Sequence, residues 1–427
     1  MNFEELGLSQ KLVEKVLNAG LKTPTPIQDQ AIPHVLNGRD LMGLAQTGTG
    51  KTAAFGLPLI DMLMGIGTKP APRTVRSLIL APTRELAKQI SDNLRMFTEK
   101  THLKIVLVVG GVSINMQIKK LERGTDILVA TPGRLLDLLD RKALTLDETG
   151  FLVLDEADQM LDLGFVHALR KIAKLLPEER QTLLFSATMP KLMAEISQTY
   201  LKAPVRVEVS PPGKTADKVT QEVHFVSQGA KLSLLKELLD GHREERALVF
   251  VRTKHGAEKM MRNLDANGFA AGSIHGNKSQ GQRDRALQAF KDGKLKVLVA
   301  TDVAARGIDI KDVKHVYNFD LPNVAENYVH RIGRTARAGK DGAAVAFCGE
   351  GEMAELRAIE KVTGQKVPVA SGSPWELSRE ETKKHRARGP RRGGGQRPKA
   401  EGNAAGPKGG KPRRSRSRRS KGGSKAA

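Results

Sequence analysis

Two tandem α/β domains, each a parallel sheet covered by helices, with one disordered basic tail after the second, are what this sequence predicts. Three observations carry that expectation. Apolar runs of four or five residues alternate with helix-sized intervals, the pattern of strands buried on both faces. A stretch rich in Pro, Gly and Lys, "SPPGKTADK" at 210–218, interrupts the series, which then resumes. Beyond residue 371 apolar residues nearly vanish, so nothing offsets the entropy of ordering that segment.

Taken in order, residues 1–37 read as helix, turn, helix. "LSQKLVEKVLNAG" offers Ser9 as N-cap, Leu12, Val13, Val16 and Leu17 as an apolar face, and Gly20 as the stop. Buried-strand candidates follow: "SLILA" (77–81), "IVLVV" (105–109), "DILVA" (126–130), "FLVL" (151–154) and "TLLF" (182–185). After the interruption come "VHFV" (223–226), "ALVFV" (247–251), "KVLVA" (296–300), "HVYNF" (315–319) and "AAVAF" (343–347). Both halves contain an apolar run ending in "VAT" or "FSAT" before a loop, at 129–131, 185–188 and 299–301. The expected organisation is therefore a first domain over 1–209, a linker over 210–218, a second domain over 219–371 and a tail over 372–427.

The net charge of +23 is unevenly distributed. From Gly372 onward there are 18 Lys/Arg against 4 Asp/Glu, a surplus of 14, which leaves 23 − 14 = +9 for the rest. A basic balance favours an anionic partner, nucleic acid before membrane, and no basic amphipathic helix supports the membrane alternative. No apolar run reaches 18 residues, and the start, "MNFEELGLSQ", has neither a basic nor an apolar leader region. One cysteine, Cys348, makes no internal disulfide and no thiolate zinc site. A cytoplasmic location is expected.

"AQTGTGKT" (45–52) reads as a phosphate-binding loop, with backbone N–H groups around the phosphates, Lys51 on the β/γ oxygens and Thr52 helping to hold Mg²⁺. In "LVLDEAD" (152–158), Asp155 and Glu156 follow a strand at the carboxyl end of a parallel sheet, where α/β folds bind ligands. There Asp155 would bind Mg²⁺ and Glu156 would orient or deprotonate the attacking water.

"DEAD" at 155–158 resembles the signature of the DEAD-box family of ATP-dependent RNA helicases, and the similarity extends from Phe3 to about Gly339. The resemblance implies two RecA-like domains, ATP and Mg²⁺ as cofactors, and RNA as a partner read with little sequence specificity. "GLKTPTPIQ" (20–28) looks like the family's adenine-reading segment, with Phe3 as its upstream aromatic and Gln28 able to bond adenine N6 and N7. The implied nucleotide contacts are then Phe3, Gln28, Ala45, Gln46, Thr47, Gly48, Thr49, Gly50, Lys51 and Thr52, with Gly307 and Asp309 from "ATDVAARGID" (300–309). The implied RNA contacts are Pro82, Thr83 and Arg84, Gly110 and Gly111, Thr131, Gly133 and Arg134, then Arg283 and Thr301. Hydroxyls, glycine turns and arginines suit phosphate and sugar contacts, which carry no base information. Ser186 and Thr188 resemble the segment that couples ATP state to RNA binding.

In "HRIGRTARAG" (330–339) the spacing of three places Arg331, Arg334 and Arg337 on one stripe of a helix, with Gly339 as its stop. By resemblance Arg334 and Arg337 are catalytic arginine fingers, and Arg331 ties ATP to the RNA-bound closed state. His330 is expected to pack locally, Cys348 to act as a small apolar residue, and Trp375 to be either a docking residue or part of a loose terminus. The residues alone leave open a nonenzymatic ATP-gated clamp and a DNA-translocating helicase. Within the family the compact core and basic tail look most like the bacterial RhlE type, which points to ribosome assembly or RNA turnover and their proteins as partners.

Overall fold

A computed structural model describes residues 2–45, 48–209, 219–305, 313–335 and 342–375. Gln46, Thr47, Gly307, Asp309, Arg337, the 210–218 stretch and the tail from 376 lie outside the described residues.

Two seven-stranded parallel sheets form the frame. The first comprises β1 (Leu41–Leu44), β2 (Val75–Leu80), β3 (Ile105–Val108), β4 (Thr125–Ala130), β5 (Phe151–Leu154), β6 (Gln181–Ser186) and β7 (Val205–Glu208), in the order β3-β4-β2-β5-β6-β1-β7. The second comprises β8 (Val219–Phe225), β9 (Ala247–Phe250), β10 (Ala271–Ile274), β11 (Val297–Ala300), β12 (His315–Asn318), β13 (Gly342–Cys348) and β14 (Val369–Ser371), in the order β10-β11-β9-β12-β13-β8-β14. Counting strands within each half, the two orders are the same, so the chain builds one topology twice. This is the arrangement of tandem RecA-like domains.

Alternation along each strand divides the core between the sheet's two faces. In the first sheet Ile79, Val129, Val153 and Leu183 enter one fully buried cluster. Their neighbours Leu78, Leu80, Leu128, Leu152, Leu154 and Leu184 enter another on the opposite face. Each such side chain contributes about 1.5–3 kcal/mol by leaving water, and coverage on both faces explains why the strands read as unbroken apolar runs. Among the described residues no helix is long and apolar enough to cross a membrane.

Three local expectations change. Ser9 does precede the helix Gln10–Asn18, but it makes no side-chain cap; its hydroxyl and backbone N–H both donate to Asp61. The helix carrying Arg331 spans Glu326–Ile332 and ends at Gly333, whose N–H bonds Val329 O. Arg334 therefore stands in the turn beyond the helix and does not share a helical stripe with Arg331; Arg337 and Gly339 lie outside the described residues. Trp375 is held rather than loose: its indole N–H donates to Cys348 O at 3.0 Å, and its ring packs against the cluster of Tyr328, Ile332 and Met353. Cys348 itself is fully buried, and burial pushes its thiol up to about 12.

Candidate functional site

Parallel strands present all their following loops at one edge, so the topology decides which loops meet. In the first sheet β5, β6 and β1 are neighbours, and so are β3, β4 and β2. The phosphate-loop and carboxylate segments follow the first trio, whereas "PTR", "GG" and "TPGR" follow the second. Two clefts result, side by side on one edge.

The first cleft, of about 340 Å³, is lined by Gln28, Gly48, Gly50, Lys51, Thr52, Asp155 and Glu156, together with Leu21, Gln89, Asn93 and Met96. Lys51 opens the helix Lys51–Met64, is only 6 % exposed, and donates to Ala45 O at 3.2 Å with Asp155 Oδ1 at 3.6 Å. Gly50 adopts φ 94°, and a Cβ there would lie 2.4 Å from Gln28 Nε2 and 2.9 Å from Thr25 Oγ1. Glycine is thus required both by the left-handed backbone and by the contact it makes. Gln28 uses its amide to weld the two segments: Oε1 accepts from Thr25 N at 2.9 Å and Nε2 donates to Gly50 O at 3.0 Å. Phe3 is 1 % exposed within the first-domain core and lines no part of this cleft. Thr49 is likewise not among its lining residues.

Asp155 and Glu156 are both 2 % exposed. Burial pushes the Asp155 carboxyl up to about 6; Lys51 pulls it back, and the Glu156 charge adds to the rise. A buried carboxylate left so incompletely compensated suits an added cation, and Asp155 with the Thr52 hydroxyl offers the hard oxygen donors Mg²⁺ prefers. Glu156 sits at φ 50°, ψ 51°, a left-handed conformation unusual for a side-chain-bearing residue, at the start of the helix Ala157–Asp162. Such strain at a buried carboxylate marks a position selected for where it points.

The second groove, of about 500 Å³, is lined by Pro82, Thr83, Arg84, Gly110, Thr131, Gly133, Arg134 and Arg283, with Glu85, Asp137, Leu163, Phe165 and Gly276. Its geometry rests on the Gly110–Gly111 turn, against which the Arg84 guanidinium lies; a Cβ on Gly111 would meet Arg84 Nη1 at 2.0 Å. Thr83 caps the helix Arg84–Thr98 by accepting from Leu86 N, and Arg134 Nη1 donates to Val112 O at 2.9 Å. Thr301 follows β11 and is buried outside this groove. Arg283 crosses from the second sheet's domain and stands 2.9 Å from Glu85 Oε2, both nearly buried, while Gln280 Nε2 donates to Glu85 Oε1 at 3.1 Å. Glu85 is thus an interdomain fastening that the sequence did not single out.

One carboxylate joins the helix after β5 to the loop after β6. Asp158 Oδ2 accepts from Ala187 N at 3.1 Å, Thr188 N at 2.8 Å and Thr188 Oγ1 at 2.8 Å, and Ser186 Oγ donates to Thr188 O. The "SAT" segment is therefore fixed to the helix that begins at the catalytic-candidate carboxylates. Sequence reasoning quoted Asp158 in the motif without assigning it this task.

Arg331 is 2 % exposed and committed within the second domain. It holds Asp302 bidentately at 2.6 and 2.8 Å, reaches Asn318 Oδ1 and Asp320 O, and lies 4.9 Å from the centre of the Phe250 ring. Arg334 is also buried, its Nε donating to His330 O at 3.2 Å.

With these features in place, comparison with known proteins is specific. Residues 25–196 match the DEAD/DEAH box helicase family and residues 230–339 the helicase conserved C-terminal domain. The ATP-dependent RNA helicase CshA of Listeria monocytogenes is 45 % identical over 374 residues, covering 88 % of this chain and 71 % of that protein. S. cerevisiae Dbp5 bound to RNA and ADP BeF3 superposes with a TM-score of 0.77 at 31 % identity, over 87 % of this chain and 95 % of that one. Mss116p bound to ssRNA and AMP-PNP gives 0.78 at 26 % identity, over 90 % and 80 %. Two duplicated parallel sheets, a lysine-bearing phosphate loop facing Asp155 and Glu156, and these matches lead to one conclusion: the chain belongs to the DEAD-box helicase family.

Proposed function

We propose that the protein is an RNA-stimulated ATPase that separates short duplexes or remodels RNA–protein complexes, and that the two clefts hold ATP and one RNA strand. The observation that carries this reading is the Asp158 hydrogen-bond set, which ties the carboxylate helix to the "SAT" segment that follows β6. Lys51 and the loop N–H groups bind the phosphates, Gln28 reads the adenine edge while holding Gly50, and Glu156 orients the attacking water. Mg²⁺, held by Asp155 and Thr52, supplies charge neutralisation at the phosphates. Arg84, Arg134 and the glycine turns take backbone phosphates, with Arg283 and Thr301 completing the track from the second domain. Arg334 and Arg337 are proposed as fingers presented to the transferred phosphoryl group, and Arg331, anchored on Asp302, as the residue that ties bound ATP to the RNA-bound closed state. The RNA carried by Dbp5 and Mss116p in their solved complexes supports this choice of partner.

The domain limits proposed from sequence, 1–209 and 219–371 with a linker and a basic tail, fit the spans of the two sheets. A cytoplasmic RhlE-type helicase working in ribosome assembly or RNA turnover is the finer proposal, supported by the compact core and the tail surplus of 14 charges. Sedimentation with ribosome precursors rather than mature ribosomes tests it. Glu156→Gln tests the chemistry: ATP and RNA binding persist and turnover falls by at least about 10², the low end of a general base's contribution. Turnover near the wild-type rate refutes the role, and equal stimulation by DNA and RNA of one sequence refutes the substrate class.

A further inference from the structure

At the opposite edge of the second sheet, away from every motif above, two histidines and a glutamate converge. His242 and Glu245 lie in the turn between the helix Lys231–Asp240 and β9, and His315 is the first residue of β12. They meet because β9 and β12 are parallel neighbours, with Ala247 paired to His315. One ring nitrogen of each histidine and a carboxylate oxygen of Glu245 lie within 4.8 Å of one another. The two imidazoles stack, centroids 3.6 Å apart and planes within 8°, and His315 Nε2 is 2.5 Å from Glu245 Oε2.

Two further observations point to a ligand. His242 Nε2 is engaged by the Tyr317 hydroxyl at 2.6 Å, and the other ring nitrogen, Nδ1, is buried with no hydrogen-bond partner among the described residues. In the tautomer whose Nε2–H donates to the hydroxyl oxygen, Nδ1 keeps its lone pair free, and an outer hydrogen bond of that kind orients metal-binding histidines. In addition, three of the nearby cations are directed elsewhere, while Lys314 acts on the Glu245 carboxylate. Arg243 pairs with Asp240 and lies 4.4 Å from the Phe269 ring centre, Lys296 pairs with Glu244, and Arg246 donates to Lys291 O.

We propose that His242, Glu245 and His315 form a binding site for a zinc-class divalent cation that staples the β9 turn to β12. Two imidazoles and one carboxylate select zinc, cobalt, nickel or copper over the oxygen-seeking Mg²⁺ and Ca²⁺. Closing three donors from within 4.8 Å onto one ion asks for an adjustment of about 1 Å, because tetrahedral Zn–N and Zn–O bonds of roughly 2.1 Å put neighbouring donors about 3.4 Å apart. The site stands at the strand ends remote from the clefts, so its effect is structural.

The test uses the full-length protein, treated with chelator and free of nucleotide. Titration with ZnCl₂ by calorimetry and with CoCl₂ by visible d–d absorption should show one equivalent bound, with tetrahedral cobalt intensity and a Zn²⁺-dependent rise in Tm. His242→Gln with His315→Gln should abolish all three signals, and Glu245→Gln should weaken affinity at least tenfold while the metal-free Tm stays close to wild type. The proposal is overturned by absence of stoichiometric uptake, or by uptake that survives the double substitution and so belongs elsewhere. Glu245→Gln binding Zn²⁺ as tightly as wild type would remove the carboxylate from the site and overturn it as stated.

Discussion

Replacing Gly111 with alanine tests how the second groove is built. Gly111 adopts φ 76°, and an added Cβ would lie 2.0 Å from Arg84 Nη1 and 2.9 Å from its Cζ. The backbone conformation alone costs a non-glycine residue about 1–2 kcal/mol, which for a domain of this size lowers Tm by about 2–8 °C. The collision is resolved separately, by displacement of the Arg84 guanidinium, the free end of a flexible side chain. Removing one phosphate contact should reduce the log–log salt slope of single-strand binding by about 0.7. Fluorescence anisotropy with a labelled RNA strand across a salt series measures that slope, and thermal melting measures the strain. Asparagine tolerates the left-handed region better than alanine but still carries a Cβ, so Gly111→Asn should recover most of the Tm and keep the reduced slope. A wild-type slope in both variants would mean that Arg84 does not contact phosphate from this seat, and the account of the groove would fall.

Three other outcomes are expected. Asp158→Ala strands the N–H groups of Ala187 and Thr188 and the Thr188 hydroxyl; duplex separation should fall far more than ATP turnover, and parallel losses in the two assays would contradict the bridging role. Arg331→Ala removes a buried bidentate partner from Asp302 and should cost about 3–5 kcal/mol in urea unfolding, so a loss below about 1 kcal/mol would show that the arginine is not structural. Hydrogen bonding from His275, helped by Ser273 and Lys278, holds the Glu258 carboxyl down at about 2. A depressed carboxyl stabilises the fold above its unfolded pKa and loses that contribution as pH falls from about 4.5 toward 2. With the side chain 29 % exposed, the contribution is about 1 kcal/mol after solvent screening; Glu258→Gln should therefore be destabilised at pH 6 and equal to wild type near pH 2, and a gap that persists in acid would rule this out.

How much was legible follows burial. Ten strands announced themselves because apolar residues dominate their runs, and most of them are covered on both faces; β3, though a sheet edge, is still "IVLV". Of the four that did not, β7, β10 and β14 are sheet edges, where "VRVE", "AGSI" and "VAS" carry polar or small residues because one side is unpaired. β1 is interior but hides in "LMGL", four residues running directly into the phosphate loop. The candidate site was legible where chemistry demands particular residues, as at Lys51, Asp155 and Arg84. It was not legible where a residue's task depends on an element distant in sequence. Glu85 shows this, since its partners Arg283 and Gln280 lie nearly 200 residues away. Arg331 shows it in reverse: spacing placed it only on one stripe of a helix, whereas Asp302, Asn318 and Phe250 enclose it.

The repeated strand order carries the argument beyond any single motif. In chain order the nucleotide and RNA candidates are interleaved: the phosphate loop, then "PTR", "GG" and "TPGR", then the carboxylates. Sorting happens only when β5 is laid beside β6 and β1, and β2 beside β4 and β3. The second sheet repeats that lay-out, so its loops have counterparts in the first. Thr83 follows β2 and caps its helix by accepting from Leu86 N; Thr253 follows β9 and accepts from Gly256 N in the same way. Thr131 follows β4 as Thr301 follows β11, and Gly110 follows β3 as Gly276 follows β10. A strand lying across both domains would therefore meet matching hydroxyl and glycine turns twice, related by the duplication. Contacts of that kind read the repeating sugar–phosphate chain and not the bases, because a duplicated scaffold offers the same groups at each repeat while base sequence does not repeat.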